Sequence, residues 1–191
     1  MTEPSVIAAT PRLRVEPLAS YHDRAAISCG AADQDNFLHK YAPQREERRI
    51  SRTFLLVDTA APTIVLGYYT LSNYTLALTN LPDALRKGLP KHQPLPAILL
   101  GQLAVASQHQ HRGFGKLLLQ HALRQALRAA QVSAAYGVAV HAATPDLLPF
   151  YHRYGFNSLP DHAEHLLLSM TLIARLFPEE SSRLPDLPEP T

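Results

Sequence analysis

Apolar positions along the chain change their spacing several times, and each change marks an element. Leu13, Val15 and Leu18 alternate and predict a short first strand. Over 33–50, Phe37, Leu38, Tyr41 and Gln44 fall at helical spacing, so the pattern predicts a helix that Pro43 kinks or breaks. Residues 53–57 and 63–71 are rich in β-branched and aromatic side chains, and the DTAAP between them predicts a hairpin. A short helix is expected over 82–88. The run AILLGQLAV at 97–105 is almost wholly apolar and reads as a central strand buried on both faces. Over 113–130 the spacing returns to helical: Leu119, Leu123, Ala126 and Ala130 form one stripe, with Lys116, Gln120, Arg124 and Arg128 along another. A strand at 134–140, a short helix at 145–154 and a last strand at 166–173 follow. Strand, glycine-rich turn, helix and strand in succession predict an α/β domain with a mixed sheet.

The chain has 191 residues, the usual size of one domain, and 46% hydrophobic with 18% charged residues is ordinary for a globular protein. The single cysteine, Cys29, cannot pair within the chain. No basic start followed by an apolar run opens the sequence, and the longest apolar stretch is too short to span a bilayer, so a cytoplasmic protein with no membrane partner is expected. The net charge of +2 hides an asymmetry. After Phe177, four acidic residues face Arg183 alone, which leaves the body with 17 basic against 12 acidic side chains, or +5. Four prolines join those acids, so residues 1–177 are expected to form the domain and 178–191 a flexible Pro-rich acidic tail.

Candidate chemistry concentrates at Gln110, His111, Arg112, Gly113, Phe114, Gly115 and Lys116, which follow the apolar strand and open the long helix. Two glycines let the backbone approach a ligand, and the first helical turn offers unpaired N–H groups, so the segment suits a pyrophosphate, with Arg112 and Lys116 adding charge. A P-loop needs four residues between its glycines and Ser or Thr after the lysine; here one residue intervenes and Leu117 follows. A dinucleotide fingerprint needs a third glycine where Leu118 stands. A tight strand-to-helix turn without a ligand is the alternative reading of those residues alone.

Gln110-x-x-Gly113-x-Gly115 resembles the acetyl-CoA loop of the GNAT acetyltransferases, the preceding Leu103-Ala104-Val105 resembles their cofactor-pairing strand, and Phe150-Tyr151-x-x-Tyr154-Gly155-Phe156 resembles their FYxxxGF signature. The resemblance implies a GNAT fold: one mixed, largely antiparallel sheet flanked by helices and splayed between its fourth and fifth strands. It implies acetyl-CoA as co-substrate, lying along Leu103, Ala104 and Val105, and a primary amine that attacks the thioester directly. Tyr151 matches the tyrosine that protonates the departing thiolate, with Tyr154 as its nearest competitor. Thr144 stands where many relatives carry a cofactor-contacting Asn, and Gln102 and Ala106 flank the strand where relatives often have Arg and Asp.

Three further segments, SCGAADQDNFL, RRISRTFLLVD and VLGYYTLS, resemble the GNAT toxins of toxin–antitoxin pairs, which acetylate aminoacyl-tRNA. That resemblance implies an aminoacyl-tRNA substrate, a ribbon-helix-helix antitoxin and a homodimer. Arg45, Arg48, Arg49 and Arg52 could track a phosphate backbone; a solvated helix face paired with Glu46 and Glu47 is the plainer reading. A small-molecule or protein amine is the alternative acceptor, and an acyl-CoA-binding module without turnover the alternative class. Ten histidines include His109-x-His111 and His162-x-x-His165, but neither pair has a convincing further ligand beside it, so no metal is expected and scattered surface histidines are the reading.

Overall fold

The computed structural model describes residues 12–90, 93–160 and 162–181. Its strands are β1 (Leu13–Pro17), β2 (Arg52–Asp58), β3 (Ala61–Leu76), β4 (Leu95–Val105), β5 (Gly137–His141), β6 (Asn157–Ser158) and β7 (His165–Ser169). They form one sheet in the order β1-β2-β3-β4-β5-β7-β6. Every neighbouring pair is antiparallel except β4 and β5, which run parallel. The expected mixed, largely antiparallel sheet is present.

The fork that positions the site comes from a mismatch of lengths. β4 pairs with β3 down to Val105, but with β5 only from Ile98 to Leu100, opposite Val138 to Val140. At the point of parting, Gly101 is skipped in the β3–β4 register, and Gln102 N–H donates instead to Thr70 Oγ1 at 3.0 Å. Such a bulge bends the strand locally. A Cβ on Gly101 would lie 3.1 Å from Thr70 Oγ1, so the bulge favours glycine. The expectation that this strand is buried on both faces therefore holds only for its first half; Leu103 and Val105 are half-exposed to the fork.

Side-chain alternation sends neighbouring strand residues to opposite faces. Leu55, Val57, Tyr68 and Ala104 meet Phe37, Leu38 and Ala42 of the N-terminal helical segment. That segment is α1 (Ala32–Asn36), a π-helical turn over Phe37–Tyr41 and α2 (Ala42–Glu47). Pro43 does not break it: the wider π turn accommodates a proline that lacks an N–H and crowds the carbonyl one turn back. Arg49 (φ 56°) closes α2 in the left-handed region, with Ile50 N–H bonded to Arg45 O at 2.8 Å and Arg49 N–H to Glu46 O at 3.0 Å. An arginine in place of the usual glycine there costs about 1 kcal/mol.

After the short α3 (Asp83–Arg86), the opposite face of the sheet is covered by α4 (Phe114–Val132). Leu118, Leu119, Ala122, Leu123 and Ala126 pack on Leu56, Tyr69 and Leu100. Each fully buried leucine contributes about 2 kcal/mol. The buried stripe is broader than expected, beginning at Phe114, and Ala130 is only half-buried. β5 starts at Gly137 rather than 134, where a Cβ would come within 2.5 Å of Leu168 O across the β7 pairing. The run over 166–173 is not one strand: Ser169 ends β7 and caps α6 (Met170–Leu176), its Oγ accepting from Leu172 N–H. The expected helix over 145–154 is a 3₁₀ turn followed by α5 (Leu148–Arg153).

The packed body also passes the boundary expected at Phe177. α7 (Pro178–Ser181) lies against α4, and Glu180, 6% exposed, takes a bidentate pair of bonds from Arg128, both 2.7 Å. Gln131 donates to the Glu180 carbonyl. The remainder of the expected tail, 182–191, lies outside the described residues.

Candidate active site

Beyond the fork, a cleft of about 690 Å³ opens between the free edge of β4, the loop before α4 and the α5 region. Its β4 wall carries backbone groups without strand partners. Ala106 N–H donates to Leu66 O of β3 at 3.0 Å. The antiparallel alternation then turns Ala104 toward β3 and Leu103 and Val105 toward the cleft. Of the three expected strand contacts, Leu103 and the N–H of Val105 thus face the cleft, while Ala104 is engaged with Tyr68.

The loop at the mouth is built on two left-handed residues, His111 (φ 59°) and Gly113 (φ 83°). Gly113 is the N-cap of α4, and no side chain caps that end, so the first-turn N–H groups face outward with the positive end of the helix dipole. A Cβ on Gly113 would meet nothing within 4 Å, and one on Gly115 only the Phe150 ring at 3.9 Å. Packing within the chain therefore does not demand glycine at 115, whereas a ligand approaching the backbone would. His111, Phe114 and Lys116 also line the cleft, as does Thr144, the exposed residue before the 3₁₀ turn.

Two loop side chains behave differently from expectation. The Gln110 amide donates to Cys29 O at 3.0 Å and Val105 O at 3.2 Å, tying the loop to β4 and to the segment before α1. It shapes the loop. Arg112 does not line the cleft: its guanidinium lies 3.0 Å from His109 Nδ1 and over the Phe114 ring at 5.4 Å.

Tyr151 sits on α5 at the cleft, 5% exposed, edge-on to Phe150 at 5.1 Å and Phe156 at 5.6 Å. Its hydroxyl has no hydrogen-bond partner among the described residues. Burial pushes its pKa up to about 12, so the phenol keeps its proton throughout the neutral range. Tyr154 also lines the cleft, beside Phe150.

Cys29 is far from both motifs along the chain, but the fold brings it to the cleft wall. Burial, reinforced by the Asp35 charge, pushes its thiol up to about 12, so it is no thiolate at neutral pH. Together with Gln34, whose backbone and side-chain oxygens accept from Tyr68 OH, it is a wall residue that motif reading missed. Cys29 precedes α1 and Gln34 lies within it, a stretch that carries no ligand signature of its own.

The four arginines are exposed around the end of α2 but do not converge on the first cleft. Arg49 and Arg52 line a second cleft of about 670 Å³ with Phe54, Asn73 and Gln125, while Arg45 and Arg48 flank a smaller one. The plainer reading holds for one of them: Arg52 pairs with Glu46 at 3.2 Å. Arg45 stacks over Phe37 at 5.4 Å.

Among the described residues, no three His, Cys, Asp or Glu side chains form a metal-binding group, and no helix is long and apolar enough to cross a membrane. The histidines are not all scattered, however. His141, His162 and His165 form one ring cluster.

A forked sheet with an open β4 edge, leading to an uncapped glycine-rich helix start, defines an acyl-CoA-dependent transferase. Residues 65–158 match the acetyltransferase (GNAT) domain family. A tRNA-acetylating toxin of Mycobacterium tuberculosis is 32% identical over 148 residues, which cover 78% of this chain and 86% of that protein. AtaT complexed with acetyl-methionyl-tRNAfMet is similar with TM-score 0.80 and 27% identity, over 86% of this chain and 99% of that one. A tyrosine-to-phenylalanine variant of AtaT, bound to the C-terminus of the antitoxin AtaR, matches with TM-score 0.74 and 25% identity, over 86% and 98%. The chain belongs to the GNAT acetyltransferases, in the branch that includes the tRNA-acetylating toxins, and is an acetyl-CoA-dependent N-acetyltransferase.

Proposed function

We propose that this enzyme acetylates the α-amine of aminoacyl-tRNA, as the toxin of a toxin–antitoxin pair acting in the cytoplasm. The observation that carries the acceptor is the 32% identity, over most of both chains, to a tRNA-acetylating toxin. The similarity to AtaT in its acetylated-tRNA complex and in its AtaR complex supports the same substrate and an antitoxin partner. We extend this to a ribbon-helix-helix antitoxin and a homodimeric enzyme.

Acetyl-CoA, when bound, supplies a thioester whose acyl carbon the amine attacks while the sulfur departs. The outward N–H groups at Gly113–Lys116 hold its phosphates, helped by the Lys116 charge, and Gln110 keeps their loop in place. Leu103 and Val105 backbone groups orient the pantetheine arm as an added strand. An N–H on that edge stabilises negative charge developing on the carbonyl oxygen. Tyr151 holds a proton at Oη and releases it to the departing sulfur. Its high pKa keeps that proton in place until the sulfur carries charge.

Arg45, Arg48, Arg49 and Arg52 steer the tRNA phosphates. Changing Arg48 and Arg49 together to Ala is expected to weaken acetylation of charged tRNA and flatten its salt dependence by about 2 in log–log slope. Acetylation of a small amine should barely change. The double variant preserves the backbone at position 49, since both residues carry a Cβ in the left-handed region. Equal rates on tRNA with an unaltered salt slope would remove the arginines from this role.

A further inference from the structure

Three histidines unused by the chemistry above lie in ring contact at the crotch of the fork. His141 ends β5, one residue beyond Val140, the last β5 residue paired with β4. Ala139 packs with Ala97 and Leu167, whereas Val138 and Val140 pack with α4. Alternation therefore places the His141 side chain on the face away from α4. Its ring stacks on that of its cross-strand neighbour His165 at 4.0 Å. His162 lies 4.6 Å beyond His165, and Tyr74 of β3 approaches His141 edge-on at 5.6 Å.

Acetyl transfer has a requirement that Tyr151 does not meet. An α-amino group has a pKa of about 7.7–8.0 and is mostly protonated at neutral pH, and an ammonium nitrogen has no lone pair for attack. The base must sit where the amine meets the open β4 edge, which begins at Gly101, directly past the last β4–β5 pair. We propose that His141 is the proton acceptor for the attacking amine. A ring nitrogen lone pair takes one proton from the ammonium, the electron pair of that N–H bond stays on the amine nitrogen, and the imidazolium returns the proton to water on the exposed face. The groups facing His141 keep its ring lone pair free at neutral pH, although they also weaken it as a base. Burial first, then the charges of His165 and His162 on the β7 side, hold its pKa below the ordinary histidine value, so it is neutral and able to accept. Tyr74 faces it from β3, and Glu164 accepts from Ala142 N–H through its backbone carbonyl.

The inference rests on acetyl transfer to an α-amine and is independent of tRNA as the acceptor. It is tested on the full chain in two ways. First, an NMR titration of the histidine ring protons, without any donor bound, should show His141 titrating below about 6.5. His165→Asn should move that titration upward. Second, kcat/KM should be measured against pH with an α-amine acceptor and with hydroxylamine, which is uncharged at neutral pH. His141→Gln should lower the α-amine rate near pH 7 by up to about tenfold, the ratio of total to unprotonated amine at that pH. The loss should shrink as the pH rises and the amine deprotonates by itself, and hydroxylamine should lose little. An unchanged profile, or an equal loss at every pH and for both acceptors, overturns the proposal. If His141→Gln does not fold, His165→Asn decides: the acid limb of kcat/KM must move with the His141 titration, and a limb that stays put overturns it.

Discussion

Tyr151→Phe should lower kcat by about 10²–10⁴-fold while leaving acetyl-CoA affinity unchanged. The substitution is unusually clean here. The ring keeps its edge-on contacts to Phe150 and Phe156, and the lost hydroxyl bonds no described residue, so folding has little to lose. Only the transferable proton disappears. Single-turnover kinetics with calorimetry of acetyl-CoA binding separates the two effects. A folded Phe variant with undiminished kcat would transfer the role to Tyr154, the other tyrosine on the cleft.

Gly113→Asp should abolish most acetyl-CoA affinity. A carboxylate near the pyrophosphate adds like-charge repulsion of about 1–4 kcal/mol at 4 Å, which is roughly fivefold to several hundredfold in Kd. Gly113→Asn is the control, because it has nearly the same shape without the charge, and both residues tolerate the left-handed backbone found there. Calorimetry should rank wild type and Asn well above Asp. An Asp variant that binds like wild type would show that the phosphates lie elsewhere.

Much of this was legible in the residues, and what was not has physical causes. The glycine pair at the start of α4 and the Phe150–Phe156 block led to the two sides of one cleft because both are local signatures, set by backbone conformation and short-range packing. The β4 strand was visible from its apolar run, but its half-open state was not, since that depends on where β5 stops pairing. Arg112 and Gln110 carried the right chemistry for a phosphate contact; their partners, His109 and the carbonyls of Cys29 and Val105, appear only in three dimensions. Glu180 looked like one more tail acid until Arg128 and Gln131 met it on α4. The ring contacts of His141 with Tyr74 and His165 join residues more than 20 positions apart, beyond any local pattern.

The central claim is the acceptor, and one measurement addresses it directly: transfer of labelled acetyl groups from acetyl-CoA to a pool of aminoacylated tRNAs, run beside polyamines and peptides. The account predicts label on the tRNA, released on ester hydrolysis as the N-acetylated amino acid. Label on polyamines or peptides alone, with none on the charged tRNA, would contradict it.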